Sequence, residues 1–497
     1  MKNKINNILA FCSVILLSTS CGDWKMLEEH PYSLSEGSYI TNYDEAKSMV
    51  DGMYFQLRRD VGFGRIIPII TESLSDYCYG RGTYESTFQS GINTSCYSRT
   101  QDCWAILYRV VRYSNVLLPK LAEVEMTETQ YNELSAEIRF LRGFAYSYLV
   151  KCFDDVPFFD ENDEIGTDKP KTASEEIWES IISDMEYAAE NLPSAVSVAG
   201  HPDKTAAYFC LAEACMYLED YDGAAAAAQA AIDQNVHSLV DVSVADDFEK
   251  IFGADVVTTP EEVFYMKYNR TPGIRNSMDW MFLCDPNPIS KSQGAVGIYT
   301  DYENNNVIKE WLQDEGDLRH EYTLYEQHDN GELNTKTNTG MICIKFRDRQ
   351  ATGNGAGTDV PVIRYADVLL LYAEARTRSL GAPDDKAMEA LNMVHRRGYG
   401  YPSASESPVD FKLADYSSLD TFIELLLKES AYEQMFEVGK RYFTLKRLGL
   451  LAEYAYRAGR VDSPSEVSPA AYYWPIPANE FTYNSMLDPN KDQNPGY

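Results

Sequence analysis

Positive charge, histidine and long apolar runs are all in short supply in this sequence. Lys and Arg together number 44 against 76 Asp and Glu, a formal net charge of −32 at neutral pH. Such a field repels nucleic acid and anionic membrane surfaces, so neither is an expected partner. There are six His, and ten Cys show no CxxC pair and no Cys/His ligand spacing, so a zinc site lacks its usual donors. Cys210 and Cys215 lie on one expected helix at a spacing of five, which points them to different faces. Buried thiols are the default expectation, with room for one disulfide. Beyond the N-terminus no stretch reaches about 18 consecutive apolar residues, so the expected mature chain does not span a bilayer.

Catalytic signatures are equally thin. No Gly-x-Ser-x-Gly elbow occurs, and no Cys/His nucleophile pair stands out. The run Gly353-Asn354-Gly355-Ala356-Gly357 lacks the Lys-Ser/Thr and the strand context of a phosphate-binding loop, so it reads as a flexible connection. Asp160-Glu161-Asn162-Asp163-Glu164 is rich in oxygen donors, but Ile165 stands where a calcium-loop glycine would be needed, and a solvated acidic loop is the better reading. No catalytic residue, metal or cofactor is therefore expected.

What is present begins at the N-terminus. Lys2 and Lys4 precede an apolar run from Ile8 to Leu17. Its length, about ten residues, suits a secretory signal and not a membrane span. Ser18-Thr19-Ser20-Cys21 follows: small residues ahead of a thiol that a lipoprotein pathway would acylate. The match to a lipobox is relaxed, since Ser18 stands three residues before Cys21 and Leu17 one further back. Residues 1–20 are expected to be a signal peptide and Cys21 the lipidation site, with palmitate among its acyl chains. The alternative is an ordinary cleaved signal with an incidental Cys. More than one acyl chain suffices for stable anchoring.

Further along, apolar residues recur mostly at three and four, the helical period. Ile138, Leu141, Ala145, Tyr148, Leu149 and Cys152 share one face of a helix expected over Glu137–Asp154. A second helix is expected from Glu175 to Leu192, with Ser174 as N-cap and Pro193 as its stop. Lys204–Asp233 reads as a helical hairpin turning at Asp220-Tyr221-Asp222, its second helix built of small residues. Tyr365–Arg376, a turn at Gly381–Asp385 and Lys386–Arg397 repeat that design. The alternation of small and large residues is similar to tetratricopeptide repeats. The expected fold is mostly all-α: tetratricopeptide-like hairpins over about 40–57, 100–260 and 360–450, in a single domain 21–497. Long inserted loops are expected at about 77–102 and 269–359. Loops of that length are functional or disordered, and their aromatics and Arg favour function.

Several segments together resemble the SusD/RagB family. They are Glu137–Tyr146 running on to Asp155-Val156-Pro157-Phe158, Ile363–Ala375, Glu429–Arg447, and the end from Trp474-Pro475-Ile476-Pro477 to Gln493–Tyr497. With the lipoprotein-like start they lie in order along essentially the whole mature chain. The resemblance implies a non-catalytic, outer-membrane lipoprotein facing the cell exterior. It also implies a partner, a SusC-like TonB-dependent outer-membrane barrel, and an oligosaccharide cargo. A peptide cargo for the same architecture is the alternative reading.

Sugars present C–H faces between polar edges, so aromatic side chains and hydrogen-bonding groups together suit them. With 36 Tyr the chain has ample material for such a surface. Trp280, in a Pro- and Asn-rich loop, and Tyr299 are the leading ligand-contact candidates. Tyr77, Tyr79, Arg81 and Tyr84 follow, because the resemblance implies that their loop contributes to the ligand face. Trp104 and Trp178 sit in helical patterns and are expected in the core. Arg139, Arg142 and Glu137 read as salt-bridged scaffold. Glu429 and Glu433, near Arg441 and Arg447, could be taken for the carboxylate pair of a surface glycosidase. Their spacing on one helix supplies proximity but no cleft.

Overall fold

Thr127 starts the longest helix, Glu128–Phe153, through a reciprocal capping box: its hydroxyl accepts from the Gln130 N–H at 3.2 Å, and the Gln130 side chain accepts from the Thr127 N–H at 2.9 Å. The computed structural model describes residues 40–282, 289, 291–292, 294, 297–325, 340–353 and 355–497. Residues 1–20 and Cys21 lie outside them, as do parts of the inserted region 269–359. From Leu134 to Phe153 this helix is buried at nearly every position, not along one stripe. It is a central helix, enclosed by neighbours on all sides.

The next helices stack in sequence order. Ser174–Asn191 packs on Glu128–Phe153, Lys204–Tyr217 on Ser174–Asn191, and Tyr221–Asp233 on Lys204–Tyr217. The hairpin is capped at both starts, by Asp203 for the first helix and Asp220 for the second. Ala224, Ala227, Ala228 and Ala231 are buried, and their small size lets Tyr221–Asp233 lie close against Tyr365–Leu380, which follows much later in the chain. Tyr365–Leu380 ends at Gly381, whose φ of 75° only glycine adopts freely, and Asp384 caps the partner helix Asp385–Gly398. Stacked helical hairpins, with few and small sheets, therefore make up most of the fold. One expected detail differs. Ser174 is the first helical residue and not the N-cap; its N–H is bonded at 2.9 Å by the Asp155 carboxylate, from the preceding connection. The helix Glu128–Phe153 also begins nine residues before the expected Glu137.

The inserted regions are not structureless. They supply a four-stranded sheet in the order Tyr79–Gly80, Ile298–Asp301, Gly340–Cys343, Leu324–Tyr325, and the second of them is flanked by a two-stranded ribbon of Glu262–Met266 with Val360–Arg364. Below the ribbon lies a buried ion network. The Arg364 guanidinium, fully enclosed, bonds Glu261, Glu433 and Glu437. Arg397 bonds Glu261 and Glu433, while Arg319 reaches Asp317, Glu429 and Glu433. Because each charge has several opposite partners, burial is tolerated; removal of one partner in such a network typically destabilises by about 3–5 kcal/mol.

Trp104 and Trp178 are 3% exposed and lie in the core, Trp178 stacked on Tyr217 at 4.3 Å. Arg142 and Arg139 both reach Asp184, and Arg142 also reaches Glu161, so this charged cluster braces neighbouring elements. Glu161 and Asp163 of the acidic loop are thus paired with Arg142 and Lys169. The seven described Cys, among them Cys210 and Cys215, are buried and form no disulfide with one another.

Candidate functional site

The segment after the buried helix Ile66–Ser73 is clamped from both sides. The Thr300 hydroxyl donates to the Tyr77 carbonyl at 2.7 Å, and the Asn305 amide donates to the Asp76 carbonyl at 2.8 Å. These bonds set the register in which Tyr79 pairs with Tyr299 across antiparallel strands. Their rings stack, centroids 5.5 Å apart and planes at 23°, and both side chains remain half-buried. The Arg460 guanidinium lies over Tyr79 at 4.0 Å. Burial pushes both phenols above their ordinary pKa, so the rings stay neutral.

Two glycines make the neighbouring approaches possible. A Cβ on Gly80 would sit 1.8 Å from the Tyr84 carbonyl oxygen, so only glycine lets the chain fold back into the tight turn Gly82–Tyr84. A Cβ on Gly297 would lie 1.8 Å from the Met281 methyl; with none there, the Gly297 N–H donates to the Met281 carbonyl at 2.6 Å. That bond holds the short helix Met278–Phe282, and with it Trp280, beside the Ile298–Asp301 strand. The helix start is tied to a second loop, since the Ser277 N–H donates to the Gly64 carbonyl and the Ser277 hydroxyl to Asp60. The same loop carries Arg65, whose guanidinium is 5.7 Å from the Trp280 ring centre and ion-paired with Asp60 at 2.6 Å.

Of the residues singled out by sequence, Tyr79, Tyr299 and Trp280 are half-buried around this junction, and Arg81 beside it is exposed. The backbone N–H of Arg81 donates to the Gly297 carbonyl at 2.8 Å, which ties the loop to the strand. Tyr77 and Tyr84 are placed otherwise. Tyr77 is 0% exposed and packs in the core; it lies in the bend ahead of the strand Tyr79–Gly80, whose Tyr79 is half-buried. Tyr84 is 7% exposed and lies beneath Arg99, whose guanidinium covers its ring at 4.4 Å. Neither ring offers a free face in this structure. Arg65, Arg99 and Arg460, which cover the aromatic rings, were not legible in the sequence. They come from three distant segments and share no spacing with the tyrosines.

Glu429 and Glu433 lie elsewhere, in the buried ion network. Burial alone would raise the Glu429 carboxyl, but Arg319 and His395 outweigh it and hold it down at about 2. Arg397, Arg364 and Arg319 likewise hold Glu433 well below the usual carboxylate range against the effect of burial. Carboxylates so paired carry no proton to donate at neutral pH, and a general acid is what glycoside hydrolysis requires of one of them.

A sequence model of the SusD family matches residues 294–497, and one described as starch-binding and associating with the outer membrane matches residues 90–218. SusD-like protein P2 of Formosa agariphila is 25% identical, the match covering 98% of this chain and 99% of that protein. A SusD homologue from Bacteroides thetaiotaomicron superposes with a TM-score of 0.77 at 20% identity, over 93% of this chain and 98% of the other. Surface glycan-binding protein A from Bacteroides fluxus does so with a TM-score of 0.74 at 21% identity, over 92% and 100%. Two such sequence models match in chain order and the fold is shared from end to end, so this chain is similar to SusD/RagB proteins along its length.

Proposed function

We propose that this protein captures oligosaccharide at the cell surface and delivers it, unaltered, to a SusC-like TonB-dependent outer-membrane barrel, anchored by lipid on Cys21. The observation that carries the reading is the half-buried aromatic group of Tyr79, Tyr299 and Trp280, assembled from inserted segments on the helical scaffold. Aromatic rings stack on sugar C–H surfaces, and the neighbouring Arg81 can bond hydroxyl or acidic edges. The similarity to SusD/RagB proteins supports the glycan over other small ligands, as does the structural neighbour described as a surface glycan-binding protein. The scaffold from Asn42 to Tyr497 forms one compact unit, consistent with a single binding domain.

Affinity electrophoresis and calorimetry against a panel of polysaccharides and peptides test this. Binding of a glycan without appearance of new reducing ends is the expected result. Capture of peptides alone would replace the glycan with the peptide reading. For the anchor, Cys21→Ala should release the protein from the membrane fraction in cells lacking the barrel; retention there would refute lipid attachment at Cys21.

A further inference from the structure

Most of the buried arginines of this acidic chain are consumed by carboxylates. Arg142, Arg319, Arg364, Arg397 and Arg441 are each ion-paired. The arginines of the candidate ligand face are bonded otherwise. Arg99 bonds only neutral atoms, the Thr83 hydroxyl at 3.1 Å and the Cys96 sulfur at 3.4 Å, while its guanidinium plane rests on Tyr84. Arg81, two residues before Thr83, is exposed and has no side-chain partner among the described residues. Arg460, stacked on Tyr79, donates to the carbonyls of Ser75 and Cys78. The carboxylates nearby include Asp60, the ion-pair partner of Arg65, Glu85, Asp301 beside Tyr299 and Asp462 beside Arg460; none of these forms an ion pair with Arg81, Arg99 or Arg460 among the described residues.

In a chain of net charge −32 there is no shortage of carboxylates to neutralise these groups. Yet on this face Arg81 has no side-chain partner among the described residues, and Arg99 bonds only neutral atoms. We infer that this face takes an anionic glycan, one bearing uronate carboxylates or sulfate esters, with Arg81 and Arg99 binding its charge. This rests on the glycan reading above and narrows its substrate class. A guanidinium presents paired N–H donors that match the two oxygens of a carboxylate or sulfate, which a neutral hydroxyl does not offer. The chain's overall negative field does not prevent this. At physiological salt it is screened beyond about 8 Å, so contacts at the face decide affinity.

The test uses matched ligands that differ in charge alone: polygalacturonate against its fully methyl-esterified form, and dextran sulfate against dextran, with laminarin as a further neutral glycan. The full-length protein in detergent, wild type, Arg81→Gln and Arg99→Gln, is titrated calorimetrically with each, and a melting curve checks folding. The expected result is that at least one anionic glycan binds and its neutral counterpart binds at least tenfold more weakly. Each substitution then lowers anionic affinity about tenfold with an unchanged melting curve; Arg81, which is exposed, keeps the test valid should Arg99→Gln loosen its loop. Which anionic glycan binds distinguishes carboxylate from sulfate. Equal affinity for the neutral counterpart, or full affinity in both variants, overturns the inference. Binding of laminarin or dextran alone overturns it while leaving glycan capture standing, and binding of none of the five overturns both.

Discussion

Tyr79 and Tyr299 sit directly opposite one another across two antiparallel strands, their rings stacked at 5.5 Å, although one comes from an early loop and the other from the second half of the chain. The pairing joins the two inserted regions into a single surface. Arg460 on the outer side of Tyr79 holds the pair from a third segment, so that this platform is set by packing and not by local sequence.

Trp280→Ala and Tyr79→Ala should each weaken glycan binding roughly tenfold or more, about 1.4 kcal/mol or above, with a small change in stability. Tyr299→Ala should also lose stability, because Tyr299 packs against buried Ile342 and Ile344. Trp178→Ala should show the reverse pattern. It removes a core ring stacked on Tyr217, at about 3 kcal/mol or more, and leaves affinity unchanged. Calorimetric titration and denaturant unfolding on each variant separate the two behaviours; normal affinity in both Trp280→Ala and Tyr79→Ala would remove these residues from the site.

Gly80→Ala is expected to abolish the tight turn that follows it. The added methyl would meet the Tyr84 carbonyl at 1.8 Å, and backbone cannot yield as a flexible side chain can. Circular dichroism should show the helical scaffold intact while glycan affinity falls at least tenfold. Wild-type binding in this variant would show that the turn does not shape the face.

Stability should fall in acid through Glu429. Its ordinary value is 4.5 and the fold holds it at about 2, because Arg319 and His395 outweigh the effect of burial. A depressed folded-state pKa stabilises above the unfolded value, and that contribution disappears as pH drops from about 4.5 to about 2. Glu429→Gln should therefore be strongly destabilising at pH 7 and nearly neutral near pH 2. Urea unfolding across that range measures it; a pH-independent difference would mean that the ion pairs are not the source.

Glu72 has the opposite sign. Fully enclosed, its carboxyl is pushed by burial from 4.5 up to about 8, while one oxygen accepts the Gly439 N–H at 2.8 Å. A raised carboxyl leaves stability complete below about 4.5 and erodes it as pH rises to about 8. Glu72→Gln keeps a neutral acceptor for Gly439. The variant should gain stability progressively over that window, on the order of a few kcal/mol by pH 8, and match the wild type at pH 4. Chemical unfolding at pH 4, 6 and 8 tests this, and no gain at pH 8 would contradict a neutral, buried Glu72.

The helical hairpins were legible because helix periodicity and capping act within a few residues. The Ala-rich helix after Asp220, the Gly381 turn and the apolar content of Glu137–Asp154 each carry their own local signal. The resemblance to SusD/RagB proteins followed from motifs of the same scaffold. Sequence also marked Tyr79, Arg81, Trp280 and Tyr299 as residues in loops with no helical core to claim them. It could not separate Tyr79 from Tyr77, because Tyr77 lies in the bend before a two-residue strand, and neither so short a strand nor a bend carries a pattern that tells a buried ring from a half-buried one. Nor could it find Arg65, Arg99 and Arg460, or the Asp155 cap on Ser174. Those pairings depend on which distant segments the core brings within a few ångströms. Ring stacking, guanidinium contact and ion pairing act only at that range, so tertiary packing alone decided them.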